Sequence, residues 1–148
     1  MRLAGKTALI TGAGTGIGAE TAKAMAAGNR LFLHYNQSAD EIRNVKAEVE
    51  RLGGSATLLR ADISSEQACL ALVRELASHT DHLDVLINNA GGLIRRQACD
   101  ALEWDLMERI FALNAFSLMK ISSLCVPLLR RSSDDPNIVN VSSVVIRH

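Results

Sequence analysis

The stretch TGAGTGIGAE, Thr11 to Glu20, places Gly12, Gly14, Gly16 and Gly18 within seven positions. Residues that small suit one kind of chemistry, a backbone turn whose amides approach a pyrophosphate at the positive end of a helix. Two spacings run through it. The generic G-x-G-x-x-A of dinucleotide loops passes through Gly14, Gly16 and Ala19; a second register, T-G-x-x-x-G-x-G, passes through Gly12, Gly16 and Gly18 and fits more of the stretch. Further polar groups are Asp62, the asparagines of NNAG at Asn88 to Gly91, Asn114, and the paired serines of IVNVSS, Ser142 and Ser143. Strand side chains alternate, so the two serine hydroxyls should emerge on opposite faces of a sheet. By residue type alone, Ser143 reads as a strand-end serine tied to backbone, Asp62 as a loop acid and Asn88-Asn89 as a turn.

Positioning such a loop takes a strand before it and a helix after it, and the chain repeats that order. Short aliphatic runs predict strands at Thr7 to Ile10, Arg30 to His34, Ala56 to Leu59, Val85 to Asn88 and Ile138 to Val141. Between them, Ile42, Val45, Val49 and Leu52 mark one helix face, and Cys69, Leu72, Val73 and Leu76 mark another. Ser38 with Glu41, and Ser64 with Gln67, have the spacing of capping boxes. A further helix is expected to start near Asp100, and a long one to run from about Asn114 to Leu129 with a kink at Pro127. Strands alternating with helices predict an α/β domain around a parallel sheet, one domain over residues 1–148.

Composition narrows the function classes. Hydrophobic residues make up 48% of the 148, enough for a real core. Sixteen basic residues balance sixteen acidic ones without a basic stripe, so no nucleic-acid partner is expected. Apolar runs fall short of the roughly 20 residues of a membrane span, and Lys6 interrupts the N-terminal one. A cytoplasmic protein with no membrane partner is the expectation. Cys69, Cys99 and Cys125 form no C-x-x-C pair, and the two on apolar helical faces, Cys69 and Cys125, are expected in the core.

Five landmarks in order, Thr11 to Gly18, Asp62, NNAG at Asn88 to Gly91, Asn114 and the serine strand IVNVSS, resemble the short-chain dehydrogenase/reductase family. The resemblance covers the whole chain and is similar to that of 3-oxoacyl-[acyl-carrier-protein] reductase-like members. It implies a Rossmann-type, doubly wound parallel sheet in three α/β/α layers, represented here by its first five strands. It assigns Gly12, Gly16 and Gly18 to the dinucleotide loop with Thr15 and Ile17. Asp62 and Ile63 would face the adenine, and Asn88, Asn89, Ala90 and Gly91 would support the central strand and the cofactor edge. Tyr35, Asn36 and Ser38 would lie at the adenosine end; no metal is implied. One departure is visible: the segment AETAKAMAAG is one residue shorter than the family's usual connection, which predicts a tight turn at Gly28-Asn29 and leaves the second strand's register open.

The resemblance also implies an oxidoreductase moving hydride between NAD(P)(H) and a small carbonyl or secondary alcohol, with a homo-oligomeric habit. A carboxylate at the end of the second strand would select NAD by holding the ribose 2′-hydroxyl. HYNQS, His34 to Ser38, contains none, which favours NADP, although Thr15 stands where NADP-binding members often carry a basic residue. Ser143 would polarise the carbonyl, and Asn114 would hold a proton-relaying water. The family's Tyr-x-x-x-Lys is absent: Tyr35 is the only tyrosine, and Ala39 lies four residues on. That motif is expected beyond His148. The alternative is a truncated, inactive dinucleotide-binding module. Arg95-Arg96 borders the expected substrate entrance and could meet an acidic group, with a solvated loop pair the plainer reading.

Overall fold

The computed structural model describes residues 4–142. Parallel strands covered on both faces need apolar residues at consecutive positions, not alternate ones. Residues 8–10 and 31–33 meet that condition, and burial extends to Thr7 and His34 beside them. The strands are β1 (Thr7–Ile10), β2 (Arg30–Tyr35), β3 (Ser55–Arg60), β4 (Val85–Asn88) and β5 (Asn137–Asn140). All pair in parallel, in the order β3-β2-β1-β4-β5. Relative to expectation, β2 gains Tyr35, β3 gains a residue at each end, and β5 is shifted back by one. In β5 the ladder to β4 begins at Asn137 opposite Val85, which moves the start one residue earlier.

Alternation across the sheet sorts the core into two layers. Ala8, Ile10, Leu31 and Leu33 face α1 (Gly16–Ala24) and α2 (Ala39–Arg51), where they meet Ala22, Ile42, Val45 and Val49. Leu9, Phe32 and Leu86 face α3 (Glu66–His79) and α5 (Ser117–Leu129), where they meet Leu72, Leu76, Ile121 and Cys125. This is the three-layer α/β/α arrangement expected. Leu52, expected on the α2 stripe, instead follows the last turn and is exposed. Cys69 and Cys125 are buried as expected, and desolvation pushes the Cys125 thiol up to about 12.

The helix starts differ from the predicted caps. Ser65, not Ser64, caps α3, its Oγ accepting from the Ala68 amide at 3.2 Å. Ser64 turns back to Asp62, donating its amide at 3.2 Å and its hydroxyl at 2.7 Å to Oδ1. Ser38 precedes α2 but its side chain makes no capping bond. Near Asp100 there is only a short 3-10 turn, Cys99–Ala101, and α4 (Trp104–Phe111) begins after it. The expected helix from Asn114 is the second half of a continuous one: α4 passes through a π turn, Ala112–Phe116, into α5, which continues through Pro127. These 26 residues are long and apolar enough to cross a membrane by length and composition alone, although Asp105, Glu108, Arg109 and Lys120 interrupt them, and α5 packs its Ile121, Cys125, Leu128 and Leu129 against the sheet.

The shortened connection before β2 closes through one asparagine. Gly28 takes a φ of +72°, a conformation glycine adopts without a Cβ penalty. Asn29, 4% exposed, donates Nδ2 to the Met25 carbonyl at 2.6 Å and accepts the Lys6 amide on Oδ1 at 2.7 Å. That bridge sets β2 against β1 with Arg30 opposite Thr7 and settles the open register. Replacing Asn29 by Ala leaves a buried donor and acceptor unmatched, an expected loss of about 2–4 kcal/mol in urea unfolding.

Candidate functional site

In an open parallel sheet, ligands gather outside the carboxyl ends of the strands where the order reverses. Here the chain winds from β1 outward through β2 and β3, then returns to place β4 on β1's other side. The crevice between the ends of β1 and β4 opens into a groove of about 790 Å³.

The loop after β1 is held from below by Thr11. Its Oγ1 accepts the amides of Asn89 and Ala90, both at 3.0 Å, and donates to the Ile87 carbonyl at 3.4 Å. A hydroxyl has one donor and two acceptor sites, so all three are used. Asn89 completes the clamp by donating Nδ2 to the carbonyls of Thr11 and Gly12, each at 3.0 Å.

Side chains are excluded where the loop is tightest. A Cβ on Gly12, whose φ is +64°, would come within 2.9 Å of the Ala90 Cα, and one on Gly18 would lie 2.5 Å from Asn89 Nδ2. A Cβ on Gly14 would collide with the Ser38 hydroxyl, so Ser38 packs on the loop instead of capping α2. Gly16, with φ +55°, has open space around its missing Cβ at the first turn of α1. The result is a stretch of bare backbone at a helix N-terminus, able to receive an anionic group.

The groove lining includes Gly12, Thr15, Ile17, Tyr35, Asn36, Ser38, Asp62, Ile63, Asn89, Ala90 and Gly91, all sequence candidates. Gly16 and Gly18 shape the turn without lining the groove. Asn114 does line it, sitting in the π turn of the long helix. It accepts the Gly92 amide on Oδ1 at 2.8 Å and donates Nδ2 to the carbonyls of Gly92 and Ile110 at 3.1 and 2.9 Å. Gly91 must lack a side chain here, since a Cβ would approach Asn114 Oδ1 to 2.7 Å. Ser142 also lines the groove, whereas Ser143 lies outside the described residues. Arg95 is committed to Glu103 at 2.6 Å, which leaves only Arg96 of that pair without an assigned partner in this loop.

Sequence reasoning passed over His34, which is 2% exposed and lines the groove. It also passed over Leu93, Leu113 and Leu118, and named Gly14 only in the generic register that fits less of the loop. A second cavity of about 450 Å³, between α3 and α5, shares only Ile63 with the groove.

Comparison with known proteins places this geometry. A family model described as short chain dehydrogenase matches residues 6–147. The chain is 38% identical over 132 residues to a 7alpha-hydroxysteroid dehydrogenase of Escherichia coli, covering 89% of this chain and 51% of that protein. It is 34% identical over 142 residues to a fatty acyl-CoA reductase of Acinetobacter baylyi, covering 95% and 48%. The chain thus spans about half the length of these curated relatives. Among solved structures, an NADH-dependent reductase A1-R′ complexed with NAD superposes with a TM-score of 0.90 at 30% identity, over 96% of this chain and 61% of the other.

The clamp predicts a sharp contrast at Thr11. Thr11→Ser keeps the hydroxyl and should cost under about 1 kcal/mol, whereas Thr11→Val strands two amides and should cost about 2–4 kcal/mol in urea unfolding.

Proposed function

Because the chain belongs to the short-chain dehydrogenase family, we propose that its groove binds a nicotinamide dinucleotide and that the whole protein transfers hydride between that cofactor and a carbonyl or secondary alcohol. The observation that carries the reading is the cradle of Gly12 and Gly14, whose bare backbone lines the groove just before Gly16 opens α1. A pyrophosphate is the anion that such a turn accommodates. Asp62 and Ile63 would hold the adenine side, and Asn89, Ala90 and Gly91 the edge beyond the loop.

The cofactor, when bound, supplies or accepts the hydride. Reduction leaves charge on the carbonyl oxygen, which needs a hydrogen-bond donor and then a proton. Ser143 is assigned the donor role from the family resemblance. Asn114 fixes Gly92 on the groove wall and, by the same resemblance, would hold a water for proton relay. The only tyrosine of the 148 residues, Tyr35, lines the β2 end of the groove and is not followed by a lysine at the fourth position. That observation favours a second reading for these residues taken alone: dinucleotide binding without turnover.

NADP is the proposed form. β2 ends without a carboxylate, and Arg60 brings a guanidinium to that end, its Nε donating to the Asn36 carbonyl at 3.2 Å. Asp62 is already engaged by Ser64. The proposal extends to self-association, supported by Phe111, Phe116 and Met119, which stand exposed along the long helix. A cytoplasmic location is supported by three free thiols, with Cys99 exposed.

Calorimetric titration tests the reading. NADPH is expected to bind at least about tenfold tighter than NADH, and Arg60→Ala to narrow that ratio, because a charge-assisted bond to the 2′-phosphate is lost. Tighter NADH binding reverses the cofactor assignment; binding of neither overturns the function.

A further inference from the structure

His34 holds the glycine loop from the side opposite Thr11. Its backbone carbonyl accepts the Ala13 amide at 2.8 Å, and its Nδ1 lies 3.2 Å from the Gly12 amide. On the far side of the ring, Nε2 lies 3.1 Å from the Ala61 carbonyl. One residue therefore engages two consecutive amides of the loop and ties them to the end of β3.

The chemistry of the partners fixes the ring's protonation. A backbone amide can only donate, so Nδ1 must present a lone pair to Gly12. A carbonyl can only accept, so Nε2 must carry the proton. Only the neutral Nε2–H tautomer satisfies both. An imidazolium would turn a second N–H toward the Gly12 N–H, replacing an attraction with a donor facing a donor. Gly12 has little freedom to retreat, because the Ala90 backbone stands within 2.9 Å of where its Cβ would be.

We propose that His34 is a positioning residue for the dinucleotide loop, its neutral imidazole locking Gly12 to Ala61, and that protonation of this ring releases the loop and weakens dinucleotide binding in mildly acidic solution. The inference rests on the dinucleotide reading above and adds to it a residue and a pH dependence.

β1 and the loop from Thr11 to Thr15 carry no ionisable side chain. Arg60 of β3 is turned to the Asn36 carbonyl, and Glu66 at the start of α3 is paired with Lys120. Asp62, after β3, is the charged group that acts on the ring and favours its protonation. Burial acts the other way and dominates, holding the His34 pKa below its ordinary 6.5. The unfolded chain therefore takes up the proton first. Stability contributed by the neutral ring is complete above pH 6.5 and is lost as pH falls through that value toward the lowered folded pKa.

Three readouts test the proposal on the full chain. First, NADPH and NADH affinities are measured from pH 8 to pH 5. The expected result is a constant value above pH 7 and a loss that sets in below pH 6.5 and grows toward pH 5, up to about tenfold once the ring is protonated, the scale of one lost bond to a buried amide. An affinity that is unchanged or tighter at pH 5 overturns the proposal; tightening would mean that the cofactor's own negative charge outweighs the loss of the lock. Second, His34→Asn offers Oδ1 to Gly12 and cannot titrate in this range. Its affinity, whatever the value at pH 8, should vary less than about twofold to pH 5, and a persisting tenfold dependence would move the effect to another group such as Asp62. Third, nitrogen-15 spectra of the imidazole report the tautomer without any substitution. Nε2–H at pH 8, with the Gly12 amide shift following the His34 titration, is required; Nδ1–H, or a Gly12 shift that ignores the titration, refutes the lock. Absence of dinucleotide binding at pH 8 would defeat the functional reading alone, since the third readout still decides whether His34 locks the loop.

Discussion

The Thr11 hydroxyl joins the ends of β1 and β4 at the point where the sheet's winding reverses, and the groove exists because that junction is closed. Without it, the two strands would still pair through Ala8, Leu9 and Ile10 and the Thr11 amide would still reach the Ile87 carbonyl, but the Asn89 and Ala90 amides would lose their acceptor. With it, the Asn89 and Ala90 amides turn inward on one oxygen, and the Asn89 side chain reaches back to the loop carbonyls. A buried hydroxyl with all its hydrogen-bonding capacity used is costly to replace and leaves little slack. Gly12 and Gly18 follow from that tightness, since neither position has room for a Cβ.

The apolar layers serve the same end. β1 and β2 are buried on both faces, so any slip in register would expose aliphatic side chains to no partner. The strand ends, and the polar loops after them, inherit that rigidity. The site is thus a set of backbone groups held by the core, with few side chains of its own. This suits a ligand recognised mainly through phosphates at a helix N-terminus. The π turn at Asn114 is the exception, a local insertion that pulls one side chain out of helical register and aims it at Gly92.

What was legible in the chain follows from how local the governing physics is. The five strands and their order of alternation with helices were readable because aliphatic runs such as Thr7–Ile10 leave few other options. The glycine loop was readable because its small residues answer close contacts. The caps were misread where serines come in pairs: Ser64 and Ser65 offer two registers, and the choice went to Asp62, which takes the first. Ser38 has a cap's position but packs on Gly14. The long helix was split in two because a π turn leaves no periodic mark. His34 was passed over because a histidine inside a strand signals nothing until β1, β2 and β3 lie side by side.

The most direct test of the account follows backbone amide shifts while NADPH is added to the chain. The account predicts shifts concentrated at Gly12 to Gly18 and at Asn89 to Gly91, the two segments that Thr11 ties together. Shifts confined to the cavity between α3 and α5, around Cys69 and Met119, or none at saturating NADPH, would contradict it.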